Sequence, residues 1–412
     1  MLPWGKVLGK FRTAFACRNL ARALAVLTIG ALLGGCAVAG ARNAVPVGLE
    51  DSAKVSGMGS ETIRFWGDEL PPNVAAYRAK RAAQLRQSNP KLRQGGRPVL
   101  NSLALSGGGP YGAYGAGLLA GWTAAGTRPS FDVVTGVSTG ALSAPFAFLG
   151  PKYDHALRHV FTETQTKNVA ILQPVKGLLG GSAMSSNAPL AKIIAHYVTP
   201  SFLAEVAAEH RKGRRLLIGT TNLDAGRPVI WDMGEIAGSG RPESVELFRS
   251  VLLASAAIPA AFPPSFIKVT ADGYSFEEMH VDGGTTREVF LAPTQLTVGS
   301  VDKDLGVSPI RRFYVILNGY VMPHPKAVKP YTMDIAGRAM STLLTNQGVG
   351  DLYRLYEFCQ RNGIAYNLAY IPEGIQDTST QPFDPVYMTE LYDAGFQMAR
   401  RGYPWQSQPP GL

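Results

Sequence analysis

A serine flanked by glycines is the first group that could do chemistry, within Gly136-Val137-Ser138-Thr139-Gly140. The motif lies where a predicted strand at residues 131–135 meets a predicted helix at residues 141–149. Glycines permit the strained turn of a nucleophile elbow, which would raise the Ser138 hydroxyl at the carboxyl end of the strand. The alternative is a serine that caps the helix N-terminus through its side chain. We expect the elbow, with Gly136 and Gly140 as its glycines.

A glycine-rich loop at residues 107–112, Gly-Gly-Gly-Pro-Tyr-Gly, follows an apolar run at residues 99–105. A dinucleotide site would need an acid at the end of the next strand, but Asp132 lies at its start. A phosphate-binding P-loop would need a Gly-Lys-Ser/Thr sequence, which this loop lacks. Consecutive glycines can also present backbone N–H groups to a developing negative oxygen, and such an oxyanion hole suits a nearby serine nucleophile. We expect the oxyanion hole to comprise Gly107, Gly108, Gly109 and Gly112.

An aspartate at the end of another predicted strand, within His280-Val281-Asp282-Gly283-Gly284, could accept the serine proton. A carboxylate becomes a useful base where burial raises its pKa and the hydroxyl lies within hydrogen-bond reach. Asp-Gly-Gly is also common turn chemistry, which is the alternative. A Ser–Asp–His triad would need a histidine after the acid. His324 lies between two prolines, and His280 shares a strand face with Asp282 and is expected to pack beside the site.

In chain order, the glycine loop, the G-x-S-x-G motif and the late Asp-Gly-Gly motif resemble the patatin-like phospholipase family. The resemblance runs from about residue 103 to residue 287, and segments 220–228 and 254–264 agree with it. It implies a three-layer α/β/α fold with a mostly parallel central sheet and a Ser–Asp dyad without histidine. The residues that carry over are Ser138 as nucleophile, Asp282 as base, Gly108 and Gly109 as oxyanion donors, and Gly283 and Gly284 in the third motif.

The resemblance implies a serine lipolytic acyl hydrolase that cleaves carboxylic ester bonds of lipids or phospholipids through an acyl-enzyme. The family usually has Arg or Lys where this chain has Tyr111, so the preference for a phospholipid stays open. A general esterase or an acyltransferase would use the same residues. A surface lipoprotein that binds lipid or protein without turnover is a further alternative. We expect no cofactor, and no metal site either, because no group of Cys, His and Asp residues has metal-ligand spacing.

The surrounding pattern predicts the elements that position these residues. Strand, helix, strand and helix succeed one another between residues 99 and 149, which indicates an α/β core with a parallel sheet. Helices are predicted at residues 73–87, 113–125, 333–361 and 386–400. Further strands are predicted at residues 215–221, 228–232, 267–270, 275–281, 312–317 and 365–371, with a hairpin turn at 271–273. We predict a linker and cap at residues 36–98, a catalytic domain at 99–300 and a helical C-terminal extension at 301–412 packed on the core.

The first 35 residues resemble a bacterial lipoprotein signal peptide. Basic residues precede an apolar run at residues 23–33 that is too short to span a bilayer. Leu33-Gly34-Gly35-Cys36 resembles a lipobox, which predicts lipidation of Cys36 and anchoring on a membrane surface. The residue after Cys36 is not Asp, which by the same resemblance implies the outer membrane of a Gram-negative bacterium. Cleavage after Ala39, giving a soluble periplasmic or secreted protein, is the alternative.

Composition excludes two classes of protein. The chain has 412 residues, of which 46% are hydrophobic and 17% charged, so it is not a disordered chain. Three cysteines form too few disulfides to stabilise a chain of this length, so it is not a disulfide-rich scaffold. Cys359 is expected to be a small buried hydrophobe. The net charge is +10, but half of that excess lies in residues 1–35. We therefore expect no nucleic-acid partner, while protein partners stay unknown.

Overall fold

The computed structural model describes most of the chain beyond residue 41. The described residues are 42–60, 62–71, 73–163, 171–172, 182–291, 297–322, 325 and 327–412. The predicted signal peptide at residues 1–35, the lipid attachment at Cys36 and the imidazole of His324 lie outside them. No helix within these ranges is both long enough and apolar enough to cross a bilayer.

A mixed sheet of ten strands forms the centre of the described protein. With strands numbered along the chain, the five parallel strands are β3 (Val99–Leu105), β4 (Val133–Val137), β7 (Arg215–Asn222), β11 (Ile310–Ile316) and β12 (Ala365–Ala369). They lie side by side in the order β12-β11-β3-β4-β7. The antiparallel strands are β1 (Lys54–Val55), β2 (Arg64–Trp66), β8 (Arg227–Asp232), β9 (Ser265–Ala271) and β10 (Tyr274–Asp282). Strands β5 (Ile171–Leu172) and β6 (Ser185–Ser186) form a separate pair.

Twelve helices lie among the described residues, again numbered along the chain. The first six are α1 (Val74–Ser88), α2 (Pro90–Arg93), α3 (Gly112–Ala124), α4 (Thr139–Leu149), α5 (Asp154–Thr162) and α6 (Ala188–Tyr197). The others are α7 (Pro200–Arg211), α8 (Met233–Gly238), α9 (Ser244–Ser255), α10 (Val298–Leu305), α11 (Thr332–Arg361) and α12 (Pro385–Arg400).

Helices cover both faces of the sheet. Successive side chains of a strand point to opposite faces, so Leu103 and Leu105 of β3 join a large core with α3, α4, α9 and α12. Ala104 points the other way and packs in a smaller core with α11, through Leu352 and Leu355. Burial on both faces explains why β3 is mainly apolar, with Asn101 and Ser102 as its two polar residues. The predicted α/β fold with a mostly parallel central sheet and flanking helices is confirmed.

The elements predicted around the motifs agree with the structure to within a few residues. Strand β3 has the predicted bounds, and β4 begins and ends two residues later than predicted. Asp272 and Gly273 link β9 to β10 with φ angles of 48° and 81°, as a type I′ hairpin turn requires. The sheet also takes strands β1, β2, β11 and β12 from outside residues 99–300. The division at residues 98 and 300 stays a prediction.

Candidate active site

Ser138 lies on a sharp turn between β4 and α4, with φ 53° and ψ −123°. A positive φ is costly for a residue with a side chain, so surrounding contacts must hold it. A Cβ on Gly140 would lie 2.3 Å from the Leu105 carbonyl oxygen, and one on Gly136 would lie 2.5 Å from the Gly140 carbonyl oxygen. Both positions of the motif therefore need glycine. The Ser138 side chain makes no capping hydrogen bond to α4, which disfavours the helix-cap alternative.

Strand β7 brings the serine and the aspartate together. Gly219 of β7 pairs with Val137, the last residue of β4, and Thr220 pairs with Asp282, the last residue of β10. Strand β8 pairs with both Gly219 and Thr220 on the opposite edge of β7. Strands β4 and β10 therefore meet end to end along one edge, and Ser138 follows directly where they meet.

The Asp282 carboxyl is buried, and its pKa lies close to neutral pH. Its Oδ1 accepts a hydrogen bond of 2.8 Å from the Gly284 N–H. Burial raises the pKa of Asp282 to about 7, although the nearby Ser138 hydroxyl and the Gly284 N–H both lower it. The Ser138 contact falls short of ordinary hydrogen-bond geometry, and Oδ2 is buried without a hydrogen-bond partner among the described residues. Such contacts in a ligand-free site often tighten only when substrate binds.

The glycine loop exposes two backbone donors. Gly108 has φ 140°, and a Cβ there would lie 1.9 Å from the Asn318 carbonyl oxygen, so only glycine fits. Within the described chain, the N–H groups of Gly108 and Gly109 have no acceptor. The Gly107 N–H instead donates to the Glu288 carbonyl at 3.2 Å, and the Gly112 N–H donates to Gly109 and Pro110 carbonyls. Gly107 and Gly112 thus shape the loop, and only Gly108 and Gly109 have free donors.

Two residues that sequence reasoning did not single out hold this arrangement. The Ser255 hydroxyl accepts the Ser138 N–H at 3.0 Å and donates to the Gly219 carbonyl at 2.7 Å, so it ties the elbow to β7. Asn318 donates through its side chain to the Ser106 carbonyl at 2.8 Å, which anchors the start of the glycine loop. A lone serine and a lone asparagine carry no local pattern that would have marked either contact.

A large cavity brings the predicted site residues to one surface. Its volume is about 660 Å³, and its lining includes Ser138, Asp282 and the glycines 107–109. The first half of α11 forms the facing wall through Met333, Met340 and Leu344. A second, apolar pocket of about 50 Å³ also includes Ser138 and Gly109 in its lining. Its other side chains include Leu142, Phe161, Leu190 and Phe262. Ser138 therefore stands where a broad cavity meets a narrow apolar one.

Tyr111 stands where the family resemblance would place Arg or Lys, and it lies at the cavity wall. Its hydroxyl donates to Asp377 Oδ2 at 2.9 Å, and its ring meets that of Tyr320 edge-on, with centroids 5.6 Å apart. Burial, with the Asp377 contact, raises the pKa of the Tyr111 hydroxyl, so it stays neutral. The wall offers an uncharged aromatic ring at this position.

His280 is packed beside the site. Its Nδ1 lies 3.0 Å from Thr220 Oγ1 and its Nε2 lies 3.0 Å from Glu278 Oε2, so both ring nitrogens are engaged. The side chain is fully buried, and burial lowers its pKa. With both nitrogens taken by strand neighbours, His280 is poorly placed to accept a proton from Ser138.

One cluster in the described chain has metal-ligand chemistry. His210, Asp232 and Glu235 bring ligand atoms within 4.8 Å of one another. However, Asp232 Oδ2 accepts from the Tyr77 hydroxyl at 2.7 Å and lies 3.5 Å from Arg215 Nε. Glu235 pairs with Lys80 at 2.6 Å. Because protein cations already balance both carboxylates, the cluster needs no metal ion to be stable.

Part of the chain matches the profile of a known protein family. Residues 103–293 match the profile described as patatin-like phospholipase. No curated protein sequence matches the chain. Two solved structures that resemble it are VipD from Legionella pneumophila and the human GIVD cytosolic phospholipase A2. VipD has 12% identity over 74% of this chain and 67% of its own, with a TM-score of 0.33. The human protein has 9% identity over 78% of this chain and 56% of its own, with a TM-score of 0.30. Both structural likenesses are too distant to support an argument.

Proposed function

We propose that residues 103–293, a patatin-like phospholipase domain, act as a serine lipolytic acyl hydrolase with Ser138 as nucleophile and Asp282 as base. The observation that supports this most is the end-to-end meeting of β4 and β10 on β7. It brings a hydroxyl on a strained turn beside a buried carboxyl. The cavity in front of them is also lined by Gly108 and Gly109, whose N–H groups have no acceptor in the described chain.

In the proposed reaction, Asp282 takes the proton from Ser138 as the serine oxygen attacks the ester carbonyl carbon. The carbonyl oxygen becomes negative and accepts hydrogen bonds from the Gly108 and Gly109 N–H groups. The bond to the alcohol breaks, and the alcohol leaves with the proton from Asp282. Water then attacks the acyl-enzyme, gives its proton to Asp282 and releases the fatty acid, while that proton returns to Ser138.

The shape of the cavities suggests how a lipid ester would lie. The apolar pocket of about 50 Å³ is more than tenfold smaller than the cavity of about 660 Å³, so it takes only a small part of the substrate. The bulk of a lipid therefore needs the cavity of about 660 Å³, whose far wall is the first half of α11.

We further propose that the protein is exported and works at a lipid surface, with Cys36 as the anchor. The signal-like sequence of residues 1–36 supports export and anchoring. Exposed apolar side chains on α11, the helix that lines part of the cavity, support contact with lipid. Ile335 and Leu343 of α11 are 54% and 66% exposed, beside Met333 and Met340 of the cavity wall. The outer membrane of a Gram-negative bacterium is the location proposed.

The proposal is tested with a chromogenic short-chain ester and a fluorophosphonate probe that labels activated serines. We expect Ser138→Ala to abolish both hydrolysis and labelling, and Asp282→Asn to lower both by orders of magnitude. Ser143→Ala is the matched control, because Ser143 lies on the same helix and its hydroxyl donates to the Thr139 carbonyl. Labelling that persists in Ser138→Ala would remove this residue from the mechanism, and an unlabelled, inactive wild type would leave only the binding alternative.

A further inference from the structure

A second carboxyl, that of Glu288, lies in the cavity that holds Ser138 and Asp282. It is 8% exposed, and neighbouring glycines leave the space that it fills. Its Oε1 lies 2.3 Å from where a Cβ on Gly107 would stand, and its Oε2 lies 2.4 Å from the corresponding point on Gly284. The carboxyl therefore sits between the glycine loop and the turn after Asp282.

The backbone of Glu288 is fixed while its carboxyl is left without a partner. Its N–H donates to Asp351 Oδ2 at 2.9 Å, and its carbonyl accepts the Gly107 N–H at 3.2 Å. Nowhere in the described part of the chain does a hydrogen-bond donor reach its side-chain oxygens. A carboxyl held at a cavity wall with no protein partner is available to whatever enters the cavity.

The charged groups that face Glu288 come from two elements, β10 and α11. Asp282, at the end of β10, is the closest, because its Oδ1 and Glu288 Oε2 both lie within 3.1 Å of one point beside Gly284. Helix α11 presents Asp351, which pairs with Arg354 at 2.7 Å, and also Arg338 on the cavity wall. Burial, Asp282 and Asp351 together raise the pKa of Glu288 to about 8. The carboxyl is thus neutral below about pH 8 and negative above it.

We propose that Glu288 sets the charge preference of the site, by admitting esters that are uncharged near the scissile bond and disfavouring those that carry a negative charge there. The proposal rests on the hydrolase function proposed above. A negative charge on a side chain as buried as Glu288 repels an anionic group a few ångströms away much more than it would in water. With Glu288 ionised, the cavity favours neutral esters such as acylglycerols, so anionic esters become poorer substrates as the pH rises.

The test compares two soluble esters of 4-nitrophenol, the uncharged butyrate and the hemisuccinate, which carries a carboxylate at the end of a chain of the same length. kcat/KM is measured for both at pH 6.5 and pH 9, with background hydrolysis subtracted. Only enzyme with ionised Asp282 turns over, so the ratio of the two values cancels the titration of Asp282. For the wild type we expect the butyrate-to-hemisuccinate ratio to rise about tenfold between the two pH values.

In Glu288→Gln the ratio should stay at the wild-type value of pH 6.5 throughout, because the amide keeps the shape and cannot ionise. Glu277→Gln is the matched control, since Glu277 points to the opposite face of β10 from Asp282 and should leave the wild-type rise intact. A wild-type ratio that does not change with pH, or a Glu288→Gln ratio that follows the wild type, would overturn the proposal. A wild type that does not hydrolyse the butyrate would instead contradict the proposed hydrolase function. Fluorophosphonate labelling shows that each variant is folded.

Discussion

At the scale of the residue, the strained backbone of Ser138 has a cost that stability measurements can reveal. Its φ of 53° is a region that glycine occupies freely and alanine does not. We expect both Ser138→Gly and Ser138→Ala to be inactive, but the glycine variant to be more stable by about 1 kcal/mol. Urea denaturation of the two variants measures the difference. Equal stability would mean that the turn is not under strain.

The buried carboxyl of Asp282 should make stability depend on pH. Burial raises its pKa from 3.8 to about 7, so between those values the folded protein keeps a proton that the unfolded chain has lost. Stability therefore falls as pH rises through this window, and the full cost persists above about pH 7. Asp282→Asn removes the titration. We expect it to be more stable than the wild type by about 4 kcal/mol at pH 8, with the gain disappearing near pH 4. A gain that does not vary with pH would contradict this electrostatic cause.

At the scale of the element, the first half of α11 joins the cavity to an exposed apolar surface. We expect the double variant Ile335→Asp/Leu343→Asp to bind neutral phosphatidylcholine vesicles at least tenfold more weakly than the wild type, because both apolar side chains are exposed. Hydrolysis of a soluble short-chain ester should stay within about twofold, since neither side chain lines the cavity. Vesicle flotation with the protein lacking residues 1–36 measures the binding without the anchor.

The matched control is Val386→Asp, because Val386 is 68% exposed at the start of α12 and lies outside the α11 surface. It should bind vesicles as the wild type does. Equal vesicle binding by the double variant would show that α11 does not contact lipid, and a dimer that the double variant disrupts would identify a second copy as the occupant instead.

At the scale of the whole molecule, a buried ion pair ties the N-terminal segment to the strand that carries Asp282. Arg64 of β2 donates to Glu278 Oε1 of β10 at 2.9 Å, and Glu278 is 1% exposed. Burial alone would raise the pKa of Glu278, but Arg64 and His280 outweigh it and hold the value at about 2. We expect Arg64→Met to destabilise the protein by about 3 kcal/mol, because it leaves a buried carboxylate without its main partner.

Thermal or urea unfolding measures this loss, and Arg64→Met/Glu278→Gln should recover much of it, because the variant no longer contains the unpaired charge. If Arg64→Met is as stable as the wild type, the N-terminal segment is not held to β10 by this pair.

The sequence predicts the parts of the fold and site that depend on local pattern. Strand β3 is a short, mainly apolar run, the turn at Asp272 and Gly273 has hairpin chemistry, and the elbow around Ser138 is marked by its glycines. Strands β1 and β2 have only two or three residues, too few for a detectable period, and no pattern predicted α7 or α9.

The contacts that the sequence could not supply are those between distant segments. Ser255 meets the Ser138 N–H and Glu288 meets the Gly107 loop only after the chain has folded. The same reason hid the hydrogen bonds of the Gly107 and Gly112 N–H groups, which occupy two of the four donors predicted for the oxyanion hole. The pKa values of Asp282 and Glu288 also depend on burial that no local pattern reports.

The pairing register on strand β7 sets the spacing between Ser138 and Asp282. Gly219 fixes where the serine's strand stops and Thr220 fixes where the carboxylate's strand stops, so one step along a single strand sets their spacing. A slip of β10 by one residue would turn Asp282 to the far side of the sheet. The connections that join β4, β7 and β10 can therefore lengthen or shorten over time without moving either group, provided that the three strands keep their alignment.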